Sequence, residues 1–138
     1  MIYGIGTDLL RVDRVERLYQ RFGDRFARRV LMDSEHRDFC RARNPVRFLA
    51  MRFAAKEAIV KALGTGFRHG MWVRDAGVRH DPRGRPEIIF SSRGKAACAA
   101  AGVSGGHLSL TDEAGLVVAT AILVKGSGGG SDEYDAGS

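Results

Sequence analysis

Three observations predict a single domain that mixes α-helices with antiparallel β-hairpins. Apolar residues recur at helical spacing through the first half of the chain and culminate in "RFLAMRFAAKEAIVKAL". The second half changes period, alternating short apolar runs with the turn formers "DPRGR" and "DEAG". The chain has 138 residues, 44% hydrophobic and 28% charged, enough to build one core without a metal or disulfide to hold it.

Taken in order, "MIYGIGTDLL" is β-rich and predicts a strand over about residues 2–9. In "VDRVERLYQRFG", Asp13 offers an N-cap with Glu16 three positions on, and Gly23 ends the helix. Asp24 caps a short helical turn through "RFARRVL". Asp33 or Ser34 caps a third helix, with Phe39 and Cys40 on its buried side. Pro45 suits the first turn of a long helix that runs to about Leu63, where Gly64 supplies the left-handed C′ residue. "MWVRDAGVRHD" and "RPEIIF" flank "DPRGR" as one hairpin, and "SRGKAACAAAG" is a helix closed by Gly102. "HLSLT" and "LVVATAILV" flank "DEAG" as a second hairpin. The domain is expected over 1–125; residues 126–138 have too little apolar content to pack and are expected to be a disordered Gly/Ser-rich tail.

No stretch is long and apolar enough for a membrane span. The N-terminus has no basic segment before its apolar run, so cytoplasmic residence is expected. Cys40 and Cys98 stand singly and are expected to be reduced packing residues. The net charge of +6 predicts an anionic partner: DNA, RNA, an acidic protein or a phosphorylated small molecule.

On the long helix, Glu57 and Lys61 lie one turn apart on a face that also carries Ala50, Ala54 and Ala58. They read either as an ordinary solvated ion pair or as a polar site with room for a ligand against the backbone. Arg52 and Lys56 fall in the apolar arc and must snorkel or be paired. Asp8 reads as a turn residue or, with Glu57, as half of a hard-cation site of the kind magnesium uses with substrate phosphates. "GTGFRHG" could cradle a phosphate, although it lacks the P-loop pattern, and "GIG" lacks the third glycine of a dinucleotide fingerprint. Arg14, Arg17, Arg21, Arg25 and Arg28 would form a basic stripe if the helix continued past Gly23. The four histidines show no metal-ligand spacing.

With "GIGTD", "RFAAKEAIVKALGTG", "GRPEI" and "HLSLTDE" at these separations, the chain resembles the phosphopantetheinyl transferases of the holo-[acyl-carrier-protein] synthase type over about residues 2–124. The resemblance implies an α+β fold, with antiparallel β-hairpins packed on a long central helix, and a homotrimer with active sites between subunits. It implies transfer of phosphopantetheine from coenzyme A to a serine of apo acyl carrier protein, with magnesium held by Asp8 and Glu57. Glu57 is then the candidate base and Lys61 the candidate acid and phosphate contact. Gly64, Thr65, Gly66, Pro86, Ser109 and Thr111 match the coenzyme-binding positions, and Arg52 and Lys56 match positions that either bind the coenzyme's phosphates or support the acids. Arg14, Arg21 and Arg25 match the docking surface for the acidic carrier. Asp112 departs from members that carry a histidine there, and an ionised carboxylate cannot donate to phosphate. Two rival readings are a small basic nucleic-acid-binding domain, and the same transfer chemistry aimed at a polyketide or peptide synthase carrier.

Overall fold

The computed structural model describes residues 1–67 and 71–126. Strand β1 (Ile2–Arg11) leads into three short helices, α1 (Val12–Phe22), α2 (Asp24–Val30) and α3 (Asp33–Phe39), and then into α4 (Pro45–Leu63). A hairpin of β2 (Ala76–His80) and β3 (Pro86–Phe90), helix α5 (Ser92–Ala101) and a long hairpin of β4 (Val103–Glu113) and β5 (Leu116–Lys125) complete the chain. β1, β5 and β4 form an antiparallel sheet in that order, and β2 and β3 form a separate two-stranded sheet. The architecture is α+β. The tail expected to be disordered lies outside the described residues from 127 onward, as do Arg68, His69 and Gly70 of "GTGFRHG". Gly126 is described, and its N–H donates to the Gly102 carbonyl at 2.8 Å.

Helix α4 starts where Pro45 occupies the first turn and the Asn44 side chain accepts from the Arg47 N–H at 3.0 Å. It ends at Gly64, whose φ of 87° is the left-handed value that glycine adopts without Cβ strain. One flank of α4 lies on β1 and β5. The approach to β1 is close because two strand positions lack a side chain. A Cβ on Gly6 would overlap the Ala58 carbonyl oxygen and come within 2.9 Å of the Lys61 Cβ, and one on Gly4 would overlap the Ala62 carbonyl. The "GIG" segment is therefore a backbone-to-helix packing device. Ala58 and Ala62 receive the strand itself, and Ala50 and Ala54 are fully buried. This corrects the expectation that the small-residue face leaves room for a ligand. Gly6→Ala is expected to destabilise the fold by about 2–4 kcal/mol, because the contact it creates is with backbone that cannot rotate away. Urea unfolding checks this.

Strand alternation divides the large sheet into two faces. Leu10, Ala119, Ala121 and Leu123 are buried in the core, whereas Ile5 is 60% and Leu9 64% exposed on the outer face. Cross-strand register aligns Ile5–Ile122–His107, Thr7–Thr120–Ser109 and Leu9–Val118–Thr111 across that outer face.

Several local expectations shift. α1 begins at Val12 with Arg11 as its N-cap, and no side-chain cap bond forms. Asp13 instead accepts from Arg11 at 3.0 Å. Met32 precedes α3, and the Glu35 carboxylate accepts its N–H at 3.0 Å. Residues 73–75 form a 3-10 turn, so β2 starts only at Ala76. Gly23, at φ 58° and ψ −138°, separates α1 from α2, so the five arginines do not lie along one helix. Cys40, expected to be buried, is exposed, and Cys98 is buried.

Candidate active site at the β1–α4 crossing

The close crossing of β1 and α4 sets Asp8 against Lys61. The Lys61 ammonium donates to Asp8 Oδ1 and to the Thr7 carbonyl, each at 3.1 Å. Its ion pair therefore runs across to the strand, in place of the ordinary pair along the helix. Glu57 sits one turn earlier, half-buried. Burial pushes its carboxyl above the usual glutamate value, and the negative charge of Asp8 pushes it further; Lys61 and Arg14 oppose the rise. Two carboxylates near enough to repel each other, beside one lysine, are an electrostatic deficit that a divalent cation would relieve. Among the described residues, no group of three or more His, Cys, Asp and Glu side chains forms a protein-only metal cage. Asp8 and Glu57 alone fit magnesium, which binds through one or two carboxylates and completes its shell with waters and substrate phosphates.

The other expected site residues separate into groups. Lys56 is fully enclosed, its ammonium donating to Glu35 Oε1 and the Ala76 carbonyl, both at 2.5 Å. Burial pushes that ammonium below its ordinary value, and the Glu35 charge offsets part of the effect. A side chain with no exposed surface reaches no coenzyme, so Lys56 is corrected from a coenzyme contact to a structural partner of Glu35. Arg52 donates to Glu35 Oε2 at 3.3 Å and to the Val78 carbonyl at 3.1 Å. It also borders a cavity of about 830 Å³ shared with Arg43, Arg47, Arg79 and His80. Both cations of the apolar arc are thus paired, with an acid the sequence reading had not singled out. Glu35 also accepts from the Met32 and Val78 N–H groups. Gly77 makes room for it, since a Cβ there would come within 2.9 Å of the Glu35 carboxyl carbon.

Gly64, Thr65 and Gly66 follow the C-terminus of α4, and Pro86 opens β3. Ser109 and Thr111 lie on the outer sheet face, whereas Asp8, aligned with Ala119 and Leu110, is on the helix side. Asp112 accepts two bonds from the Arg47 guanidinium, at 2.8 and 2.9 Å, and these hold its carboxyl below the usual range. Arg14, Arg21 and Arg25 are exposed and make no ion pair among the described residues. Beside them, a groove of about 590 Å³ has an apolar floor of Leu18, Phe22 and Phe26 under Arg25, Arg28 and Arg29. A smaller cavity of about 380 Å³, walled by Phe26, Phe53 and Trp72, reaches Glu57.

A carboxylate pair and a lysine thus meet at a strand–helix crossing of a small α+β protein, with an arginine-rimmed groove nearby. The profile of the 4′-phosphopantetheinyl transferase superfamily matches residues 4–121, and the chain belongs to that family. The chain is 46% identical over 125 residues to the holo-[acyl-carrier-protein] synthase of Nitrosospira multiformis, covering 91% of this chain and all of the relative. The crystal structure of the Neisseria meningitidis holo-[acyl-carrier-protein] synthase superposes with a TM-score of 0.87 at 42% identity, covering 91% of this chain and 100% of that one. The Bacillus anthracis holo-(acyl-carrier-protein) synthase, solved in complex with CoA (3′,5′-ADP), gives 0.74 at 34% identity over 89% of this chain and 96% of its own. Family membership takes the place of the nucleic-acid-binding reading. No helix of the described residues is long and apolar enough to cross a membrane.

Proposed function

We propose that this protein transfers the 4′-phosphopantetheine group of coenzyme A to a serine hydroxyl of apo acyl carrier protein, releasing adenosine 3′,5′-bisphosphate, with magnesium as cofactor. The observation that carries the reading is the meeting of Asp8, Glu57 and Lys61 on one side of the β1–α4 crossing. Asp8 and Glu57 would hold the magnesium. When bound, the ion supplies positive charge against the diphosphate and the leaving oxygen. Glu57, directly or through a water, would receive the serine proton. The Lys61 ammonium has three N–H bonds, two of them already directed at Thr7 and Asp8, so the third is left for a phosphate oxygen and for protonating the departing bisphosphate. Arg52, Gly64, Thr65, Gly66, Pro86, Ser109 and Thr111 are proposed as the coenzyme contacts. Incubation with apo acyl carrier protein, coenzyme A and magnesium should add one phosphopantetheine to the carrier by intact mass. A carrier that stays unmodified with every divalent ion tried would refute the assignment.

Ser109 and Thr111 face away from Asp8, so they can serve a coenzyme only at a neighbouring subunit's acids, which supports a homotrimer with sites between subunits. The exposed Ile5 and Leu9 on the same face support it too. Ile5→Lys with Leu9→Lys is expected to give monomers with little transferase activity; sedimentation velocity of the double variant reads the assembly directly. Arg25 lines the groove and Arg14 and Arg21 are exposed on the preceding helix α1, a basic surface suited to an acidic carrier. Arg14→Glu with Arg21→Glu should raise the carrier KM by about 10-fold or more, with a KM for coenzyme A close to wild type. An unchanged carrier KM would remove this surface from the account.

A further inference from the structure

Four polar side chains form a relay across α2 and α3, apart from the proposed transfer site. Arg28 Nε donates to Asp24 Oδ2 at 2.6 Å, Asp24 Oδ1 meets His36 Nε2 at 2.8 Å, and His36 Nδ1 faces Cys40 Sγ at 3.7 Å. The Cys40 thiol is exposed, whereas the His36 side chain is only 13% exposed and packs on Phe39 with ring centroids 5.7 Å apart. Asp24, His36 and Cys40 are not among the residues proposed for the transfer, and Arg28 borders the proposed carrier groove.

Two local features of the sequence create the arrangement. His36 and Cys40 are four residues apart, which places them on one face at the end of α3. The break at Gly23 restarts the chain as α2 and brings Asp24 opposite that face. The bonds from His36 and then Arg28 hold the Asp24 carboxyl below its usual value, so it is ionised and can only accept. An accepting carboxylate on Nε2 requires the proton there, and in the neutral ring that leaves the Nδ1 lone pair directed at the thiol. Nucleophile, base and orienting carboxylate thus stand in the order used wherever a side chain is activated for attack. Arg41 follows the cysteine directly and Arg37 precedes it by three residues, both exposed, so with Asp38 between them the net charge of this stretch is positive.

We propose that Cys40 is a modification site, a nucleophilic thiol that undergoes exchange with anionic low-molecular-weight disulfides. His36 Nδ1 takes the thiol proton as Cys40 Sγ attacks one sulfur of the disulfide. The new bond joins Cys40 to that sulfur, the old disulfide bond breaks, and the other half leaves as a thiolate that is reprotonated from His36. One disulfide is consumed and one thiol released, so no further oxidant enters. Cys98 is the internal control: it is 6% exposed, and burial pushes its thiol up.

The test treats the full chain with glutathione disulfide and follows the adduct by intact mass and peptide mapping, with neutral 2-hydroxyethyl disulfide as a second arm. The expected result is one adduct per chain, on Cys40. It should form about 10-fold faster in the folded protein than on Cys40 of the urea-unfolded chain, with a smaller acceleration for the neutral reagent. His36→Gln should lower the folded-state rate by about 10-fold, and Asp24→Asn should lower it too, with Cys98 still protected as evidence of folding. If His36→Gln fails to fold, Asp24→Asn alone decides. A folded-state rate no greater than that of the unfolded chain, or one that neither substitution changes, would overturn the proposal.

Discussion

Asp8→Asn and Glu57→Gln are each expected to lower turnover by about 10³-fold or more while the protein stays folded, because each removes one of the two carboxylates proposed to hold the cation, and no third joins them among the described residues. The amide replacements keep shape and volume, so the loss is one of charge. The two variants should differ in a second property. With Asp8 neutral, Glu57 loses the repulsion that helps hold its carboxyl high, and in the metal-free protein it should titrate at lower pH than in wild type. NMR titration of the glutamate side chains reads that shift, and steady-state kinetics reads the turnover. Either variant turning over within about tenfold of wild type would remove that residue from the metal site.

Glu35→Ala is expected to produce the largest loss of stability, about 3–5 kcal/mol in urea unfolding. The substitution leaves the Lys56 ammonium and the Arg52 guanidinium in the interior without their carboxylate, and it strands the N–H groups of Met32 and Val78. Lys56→Met in the Glu35→Ala background should recover part of the loss, since one unpaired buried charge is then gone. A double-mutant cycle measures that coupling. Additive losses would mean that the two residues do not act as the pair their geometry describes.

What was legible in the sequence follows from how local each signal is. Helix α4 was readable because Pro45 and Gly64 punctuate it from within, and both hairpins because their turns are written in adjacent residues. The Ser91 side chain that caps α5 through the Gly94 N–H, three residues on, was not singled out although its signal is as local. Glu35 gave no such signal: its partners Arg52, Lys56 and Val78 lie 17 to 43 residues away, and one acid in a short helix looks like surface. The Arg47–Asp112 pair spans 65 residues and was equally hidden. The alanine column of α4 was misread because small residues look alike in sequence whether they admit a ligand or a strand, and only the glycines of β1 reveal which. The basic stripe failed at one residue, Gly23. Glu57 and Lys61 were legible as neighbours from helical spacing, and Asp8 as an acid closing a strand, but their joint role came from motif likeness, because no periodicity relates Asp8 to a helix about 50 residues later.

The most direct test of the central claim is calorimetric titration of magnesium into the protein with coenzyme A present, for wild type, Asp8→Asn and Glu57→Gln. Wild type should bind one ion per site, and each variant should lose that binding. Equal magnesium affinity in all three proteins would contradict the assignment of Asp8 and Glu57 as the pair that holds the metal.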